Sequence, residues 1–284
     1  MGGPRRRGRR DGRRPVKVAI LGLGSITRGI VAAVGAAPEV TEVVATRRSA
    51  GARDGDPADL PILSTEHDPQ ANVRAVRGAG VVFVCVKPYQ LPQLLEEIAE
   101  EISEGTVVVS VAAGVSFETL RRHAGPRPRL VRLMPNTPTG VGEGVIGLLV
   151  EPDASGEERL LTEWFSRVGL VVPLPDEAGV NVLSAVSGSG PAYVFRLAEA
   201  MTNAALETGL SATHAEAAVR QTIIGAAALL QESDVSAQEL RRRVTSPGGT
   251  TERAVAVLES AAPDELFVQA FAASIRRAVE LDRP

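Results

Sequence analysis

The stretch VKVAILGLGSIT, residues 16–27, decides the first half of the fold. Val16–Leu21 is an apolar run of strand length, Gly22 and Gly24 follow it, and a helical pattern then runs to about Ala36. Strand, glycine turn and helix in that order open a doubly wound sheet. The first glycine permits the tight turn and the second lets backbone approach a pyrophosphate. Thr27 stands at the third position, where Gly or Ala is usual, so helix and strand are expected to pack slightly apart there. An ordinary strand–helix turn would share the G-x-G pattern; the flanking strand and helix favour a nucleotide site.

Outward from this unit the alternation continues. Thr41–Thr46, Val81–Val86, Thr106–Ser110, Arg129–Met134 and Val145–Val150 read as strands. Leu91–Ile102, Ser116–His123 and Gly156–Arg167 read as helices, the first with Leu94, Leu95 and Ile98 on one face. The unbroken apolar run Val81–Val86 is what a strand covered on both faces requires. Past Pro173-Leu174-Pro175 no strand pattern remains. Ala192–Thr208, Thr213–Glu232, Ala237–Val244, Gly249–Leu258 and Asp264–Leu281 all read as helices. The expected fold is therefore α/β: a Rossmann-type doubly wound sheet over residues 16–175, then an all-helical domain over 176–284. Ala-rich stretches at 215–218 and 225–228 allow close helix contacts, so the helical half could pair with a second copy.

Composition bounds the remaining classes. The chain has 284 residues, 44% hydrophobic and 23% charged, which suits two globular domains and excludes wholesale disorder. No apolar run approaches the roughly 20 residues of a membrane span, so no membrane partner is expected. A single cysteine, Cys85, excludes a disulfide framework and a multi-cysteine metal site, and fits a cytoplasmic protein. No metal is expected. The net charge of -3 hides an asymmetry: residues 1–15 carry seven arginines against Asp11, leaving the body distinctly acidic. That tail is expected to be a disordered, solvated extension. A paired-arginine export signal needs an apolar segment ending at a cleavage site, and the segment here is better used as a strand. Nucleic-acid binding is not expected, since no aromatic is interleaved for stacking.

Several strand ends and helix starts carry polar groups. Thr46-Arg47-Arg48-Ser49 follows the second strand, where a carboxylate would serve the ribose of NAD(H). Two guanidiniums and two hydroxyls there suit a 2′-phosphate instead, which favours NADP(H), with NAD(H) possible. An exposed arginine pair in an arginine-rich chain is the alternative. Cys85-Val86-Lys87-Pro88 ends another strand at the carboxyl edge, with Lys87 facing phosphate or ribose, or simply solvent, and Cys85 a buried thiol. The small residues of Ser110–Gly114 leave room for a flat ring, and paired prolines stiffen Met134–Pro138. In the helical half, residues 187–193 and 245–251 place Gly, Ser, Thr and Pro before helices. A helix start with exposed N–H groups binds a carboxylate, so Ser246, Gly249, Thr250 and Thr251 form a candidate cradle. Helix capping alone would use the same residues. His67, His123 and His214 lie outside these motifs.

LVRLMPNTPTGVGEGV (130–145), SGSGPAYVF (187–195) and ELRRRVTSPGGTT (239–251), behind the glycine loop and VKP, resemble the pyrroline-5-carboxylate reductase family from about Val16 to Leu281. The resemblance implies reduction of the cyclic imine 1-pyrroline-5-carboxylate to L-proline by direct hydride transfer from NAD(P)H to the imine carbon. It also implies a helical domain that interlocks in a homodimer or larger homo-oligomer. Carried over by position, cofactor contacts fall on Gly22, Leu23, Gly24, Ser25, Ile26, Arg47, Asn72, Cys85, Val86, Lys87, Pro88, Val111 and Ala113. The substrate carboxylate falls on Ser246, Gly248, Gly249 and Thr250, the ring nitrogen near Thr251 as the catalytic residue, with Glu177 a further substrate contact. Thr27, Ile26 and Thr139-Gly140 depart from the family pattern, and the last pair is expected to alter closure of the substrate pocket. The rivals are a reductase of another cyclic imine, a 3-hydroxy acid dehydrogenase, which usually needs a lysine in the helical half where none follows Lys87, and a non-catalytic NADP-binding or scaffold protein, which the two intact cradle motifs disfavour.

Overall fold

Alternate residues of the central strands belong to two different cores. The computed structural model describes residues 15–24, 26–51, 53, 56–152 and 154–281; the basic tail up to Arg14 and Ser25 lie outside them. The strands are β1 (Val16–Leu21), β2 (Val40–Arg47), β3 (Ile62–Ser64), β4 (Val81–Val84), β5 (Val107–Ser110), β6 (Arg129–Pro135), β7 (Gly144–Val150) and β8 (Gly169–Pro173). Val18 and Ile20 of β1 join Phe83 of β4, Val109 of β5 and Trp164 in one core. Ala19 and Leu21 join Val82, Val84 and Val108 in the other. Side chains two apart share a face of the pleat, so a strand apolar throughout feeds both layers.

The eight strands form one sheet in the order β3-β2-β1-β4-β5-β6-β7-β8. Neighbours from β3 to β6 are parallel, β7 lies antiparallel to β6, and β8 parallel to β7. The chain leaves β1 for β2 and β3 and returns across it to β4, so strand order reverses between β1 and β4. Such a reversal opens a crevice at the carboxyl ends of the strands. Helices α1 (Thr27–Gly35), α2 (Ala71–Val76), α3 (Leu91–Ile98), α4 (Phe117–Ala124) and α5 (Ser155–Phe165) connect the strands, and α6 (Glu177–Leu183) follows β8. The buried face of α3 is Leu91, Leu94, Leu95 and Ile98, a spacing of three and four residues that lines one side of a helix. Short β3, α2 and β8 are additions to the elements legible in the sequence.

The bulk of Thr27 is absorbed inside the loop. Thr27 is fully buried, and its hydroxyl accepts from Gly24 N at 3.0 Å and donates to Gly24 O at 2.6 Å. The tight glycine contact of α1 lies one half-turn on, at Gly29, where an added Cβ would collide with Thr139 Oγ1 and Cβ. Thr139 is itself buried and donates its hydroxyl to Asn136 O at 2.7 Å. It therefore packs under α1, in the interior, while Gly140 beside it is exposed.

The chain divides into two compact units, one reaching Ser184 and resuming at Arg277, the other Ala185–Arg276. The sequence places its change of character at Pro173–Pro175, where β8 ends. The second unit is built from α7 (Gly190–Glu207), α8 (Ala212–Glu232), α9 (Ala237–Arg243), α10 (Thr250–Glu259) and most of α11 (Pro263–Leu281). Ser184–Gly188 winds as a wide π-type turn rather than the open loop its glycines suggest. Tyr193, Phe267 and Phe271 stack around one another with ring centres 5.9–6.0 Å apart. Beyond that cluster, Phe195, Leu229, Val257, Leu258 and Val268 stand more than half exposed.

Candidate functional site

The crevice beside β1 and β4 is a cleft of about 780 Å³. Its wall includes Gly22, Leu23, Thr46, Arg47, Arg48, Asn72, Cys85, Val86 and Lys87. Gly22, at φ +96°, ends β1 in a conformation that side-chain-bearing residues avoid; an added Cβ would also lie 2.9 Å from Val86 Cγ1 and 3.1 Å from the Cys85 carbonyl. The turn is pinned to β2, because Thr46 O accepts both Gly22 N (3.1 Å) and Leu23 N (2.7 Å). An added Cβ on Gly24 would meet no protein atom within 4 Å, so the loop is open above this residue. A glycine at positive φ beneath and a bare glycine above form a cradle that fits a dinucleotide phosphate.

The side walls are set by polar chains. Thr46 donates its hydroxyl to Asn72 Oδ1 at 2.7 Å, and Asn72 Nδ2 donates to the Glu97 carboxylate at 3.2 Å, which fixes the amide's orientation. Arg47 is 6% exposed, pairs with Asp56 at 2.7 Å and donates to Gly51 O. The Asp56 carboxyl is held below the usual carboxylate range, first by the backbone N–H of Arg53 and then by the Arg47 guanidinium. Arg48 is exposed at the rim, as is Lys87, whose backbone N–H donates to Gln90 Oε1 at 3.3 Å. Burial pushes the Cys85 thiol up, out of the range of a reactive thiolate. Gly24, Ile26, Pro88, Val111 and Ala113 are not part of this wall. Val111 continues β5 at the same sheet edge, its N–H donating to Val84 O at 3.2 Å. Ser25 falls outside the described residues.

Glu177 belongs to a separate notch of the first unit, with Gly114, Ser116, Arg132 and Asn181. Its Oε1 takes the backbone N–H of Phe117 and faces Arg132 Nη1 at 3.3 Å. Arg132 is only 4% exposed, so a buried cation holds this partly exposed carboxylate. Arg132 was not singled out by the sequence reading, although its place in LVRLMPNTP was visible there.

In the second unit, the turn before α10 presents Ser246, Thr250 and Thr251 as exposed hydroxyls. Gly248 adopts φ +71° and Gly249 caps the helix with extended backbone. The first amides of α10 point outward with no helical carbonyl to accept them. One neighbour was missed from sequence: Glu252 Oε2 accepts Gly248 N at 2.9 Å, so a carboxylate already reaches back over this helix start. It was legible as an acid three residues past the cap, the spacing at which such reach-back occurs. Ahead of the turn, Arg242 and then Arg243 pull the Glu239 carboxyl down to about 2. Among the described residues no cluster of His, Cys, Asp and Glu could hold a metal, and no helix is long and apolar enough to cross a membrane.

Comparison with known proteins ties these features together. Residues 17–114 match the family described as NADP oxidoreductase coenzyme F420-dependent, and residues 177–281 the pyrroline-5-carboxylate reductase dimerisation family. The pyrroline-5-carboxylate reductase of Pseudomonas aeruginosa is 40% identical over 214 residues, 75% of this chain and 78% of that one. Pyrroline-5-carboxylate reductase 3 of Xenopus laevis is 31% identical over 267 residues, 94% and 96% of the two chains. The structure of a pyrroline-5-carboxylate reductase from Coxiella burnetii superposes with a TM-score of 0.82 at 35% identity, covering 95% of this chain and 99% of that one. A glycine-loop unit and a helical unit matched along nearly the full length place the chain in the pyrroline-5-carboxylate reductase family.

Proposed function

We propose that this chain reduces 1-pyrroline-5-carboxylate to L-proline, with NADPH preferred over NADH, as a cytoplasmic homodimer. The turn before α10 carries the reading, since it pairs exposed hydroxyls with outward amides at a helix start, a combination suited to a small carboxylate. When bound in the glycine-loop cleft, the reduced nicotinamide supplies the hydride that converts the C=N carbon to C–H, and is itself oxidised.

The chain's own residues position and neutralise. Ser246 and Thr250 hold the substrate carboxylate, Gly248 and Gly249 shape the turn around it while their N–H groups donate to Glu252 and Ser246, and the Thr251 hydroxyl hydrogen-bonds the ring nitrogen. That nitrogen enters protonated, so no strong general acid is needed and position with electrostatics carries the rate. Glu177, whose Oε1 is committed to Phe117 and Arg132, is the further substrate contact that the family resemblance implies. Exposed apolar side chains such as Phe195 and Leu229 give the helical unit a surface that a second copy would cover.

Purified chain mixed with NADPH and 1-pyrroline-5-carboxylate should consume reduced nicotinamide absorbance and release proline. Cofactor binding without turnover of this imine would overturn the reading. Thr251→Val should lower kcat/KM by about tenfold or more, the scale of one lost hydrogen bond to a charged partner; an unchanged kcat/KM would remove Thr251 from the mechanism.

A further inference from the structure

We infer that Arg48, rather than Arg47, is the residue that discriminates for a 2′-phosphate on the adenine ribose of the cofactor. The inference rests on the nicotinamide-dependent reading above and assigns its specificity within this chain. Both arginines stand in the wall of the glycine-loop cleft, but they are in opposite electrostatic states.

Arg47 is the last residue of β2 and is 6% exposed. Its Nη1 pairs with Asp56 at 2.7 Å and its Nη2 donates to Gly51 O, so both terminal nitrogens are engaged. Asp56 stays ionised below the usual carboxylate range, which keeps the Arg47 charge compensated at any ordinary pH. Arg53 is bound into the same loop, its backbone N–H on Asp56 and its guanidinium on Ser49 Oγ. A phosphate dianion approaching Arg47 would meet an ion pair rather than a free cation, and would have to displace Asp56 from it.

Arg48 has the converse arrangement. Its carbonyl accepts both Ser64 Oγ (3.0 Å) and Glu66 N (3.1 Å), which fixes its backbone at the rim of the cleft. Its side chain is exposed, and among the described residues it forms no ion pair. A fixed Cα with an uncompensated planar guanidinium is an arrangement that can take a phosphate bidentately with no ion pair to break first. Arg47 then acts as the clamp that shapes the loop beside it, and Arg48 as the reader.

Calorimetric titration of the full chain with 2′,5′-ADP and with 5′-AMP isolates the 2′-phosphate and needs neither imine nor turnover. The wild type should prefer 2′,5′-ADP, and Arg48→Ala should cut that preference by about tenfold or more. Arg47→Met should weaken both nucleotides together and leave their ratio within about twofold. Arg47→Lys, which keeps a cation facing Asp56, gives the same ratio test if Arg47→Met does not fold. Retained preference in Arg48→Ala, or equal loss of preference in the Arg47 variants, would overturn the assignment. So would a wild type that binds the two nucleotides alike, while turnover of 1-pyrroline-5-carboxylate with NADH would leave the reductase reading standing. Absence of that turnover with a normal nucleotide ratio would do the reverse.

Discussion

Phe83 and Phe195 are the same side chain in two regions that treat it differently. Phe83 sits in the middle of β4, fully buried, with the Phe165 ring 6.0 Å away edge to face. Phe195 sits in α7 and is 68% exposed. The first unit has a complete interior: a sheet covered on both faces, with Trp164 fully buried and its indole N–H donating to Glu39 at 2.8 Å. In the second unit, the buried residues are few: Ala185, Ser187, Ala215 and Val219 among the described residues. A parallel sheet satisfies its own faces with helices from the same chain. Long helices with apolar residues around much of their circumference must find cover elsewhere. The lesson is that one unit is finished by its own sequence and the other is written for an assembly.

The strongest way to break that comparison is to truncate both phenylalanines. Phe83→Ala should destabilise by about 3–5 kcal/mol through lost burial and the cavity left behind. Its denaturant midpoint should fall to a degree that does not depend on protein concentration. Phe195→Ala should instead leave a midpoint that shifts with concentration and raise the dissociation constant seen by sedimentation. A large concentration-independent loss with Phe195→Ala would show that the second unit is also self-sufficient.

A smaller effect tests how tightly the first unit is filled. Gly29→Ala should cost about 1–3 kcal/mol by overpacking against Thr139. Thr139→Ala in the same chain removes the colliding hydroxyl and should recover part of that loss, so the two changes will not add. Additive losses in thermal or denaturant melts would mean that the helix relaxes away from the turn.

The smallest effect belongs to the exposed helix ends of the second unit. Glu239 titrates near 2 in the folded chain, against an ordinary value of 4.5, because Arg242 and Arg243 bond its carboxylate. A depressed pKa contributes stability that is fully present above the ordinary value and lost as pH falls toward the folded one. Glu239→Gln should therefore flatten part of the acid dependence between about pH 4.5 and pH 2, and leave stability at pH 7 slightly reduced. An identical acid profile in the variant would show that these surface pairs carry nothing.

Much of the fold was legible because periodicity survives without neighbours. The apolar runs of β1, β4 and β5 name strands buried on two faces, and Leu94, Leu95 and Ile98 name one face of α3. β3 and α2 escaped because three and six residues are too short for a pattern to emerge. The glycine loop announced a phosphate cradle, and the residues offered Arg47 and Arg48 alike while only the resemblance singled out Arg47, since an arginine after β2 looks the same whether or not an acid waits beyond it. Asp56 lies far enough along that only the folded loop brings it to 2.7 Å from that guanidinium. Glu177 was placed by resemblance, while its buried partner Arg132 came from the folded chain, which brings this residue of β6 to 3.3 Å from the start of α6.

By itself the sequence determined the order of the longer strands and helices, the helical character of the second half, and which loops carry amides and hydroxyls. Those properties depend on residues a few positions apart, and local periodicity and turn chemistry encode them directly. Tertiary structure alone decided the electrostatic state of each charged group and the room around each glycine. Arg47 is compensated and Arg48 is not, and Gly29 is crowded while Gly24 is open. Charge compensation and steric space are set by atoms distant in the chain, and only the folded backbone brings those atoms within a few ångströms.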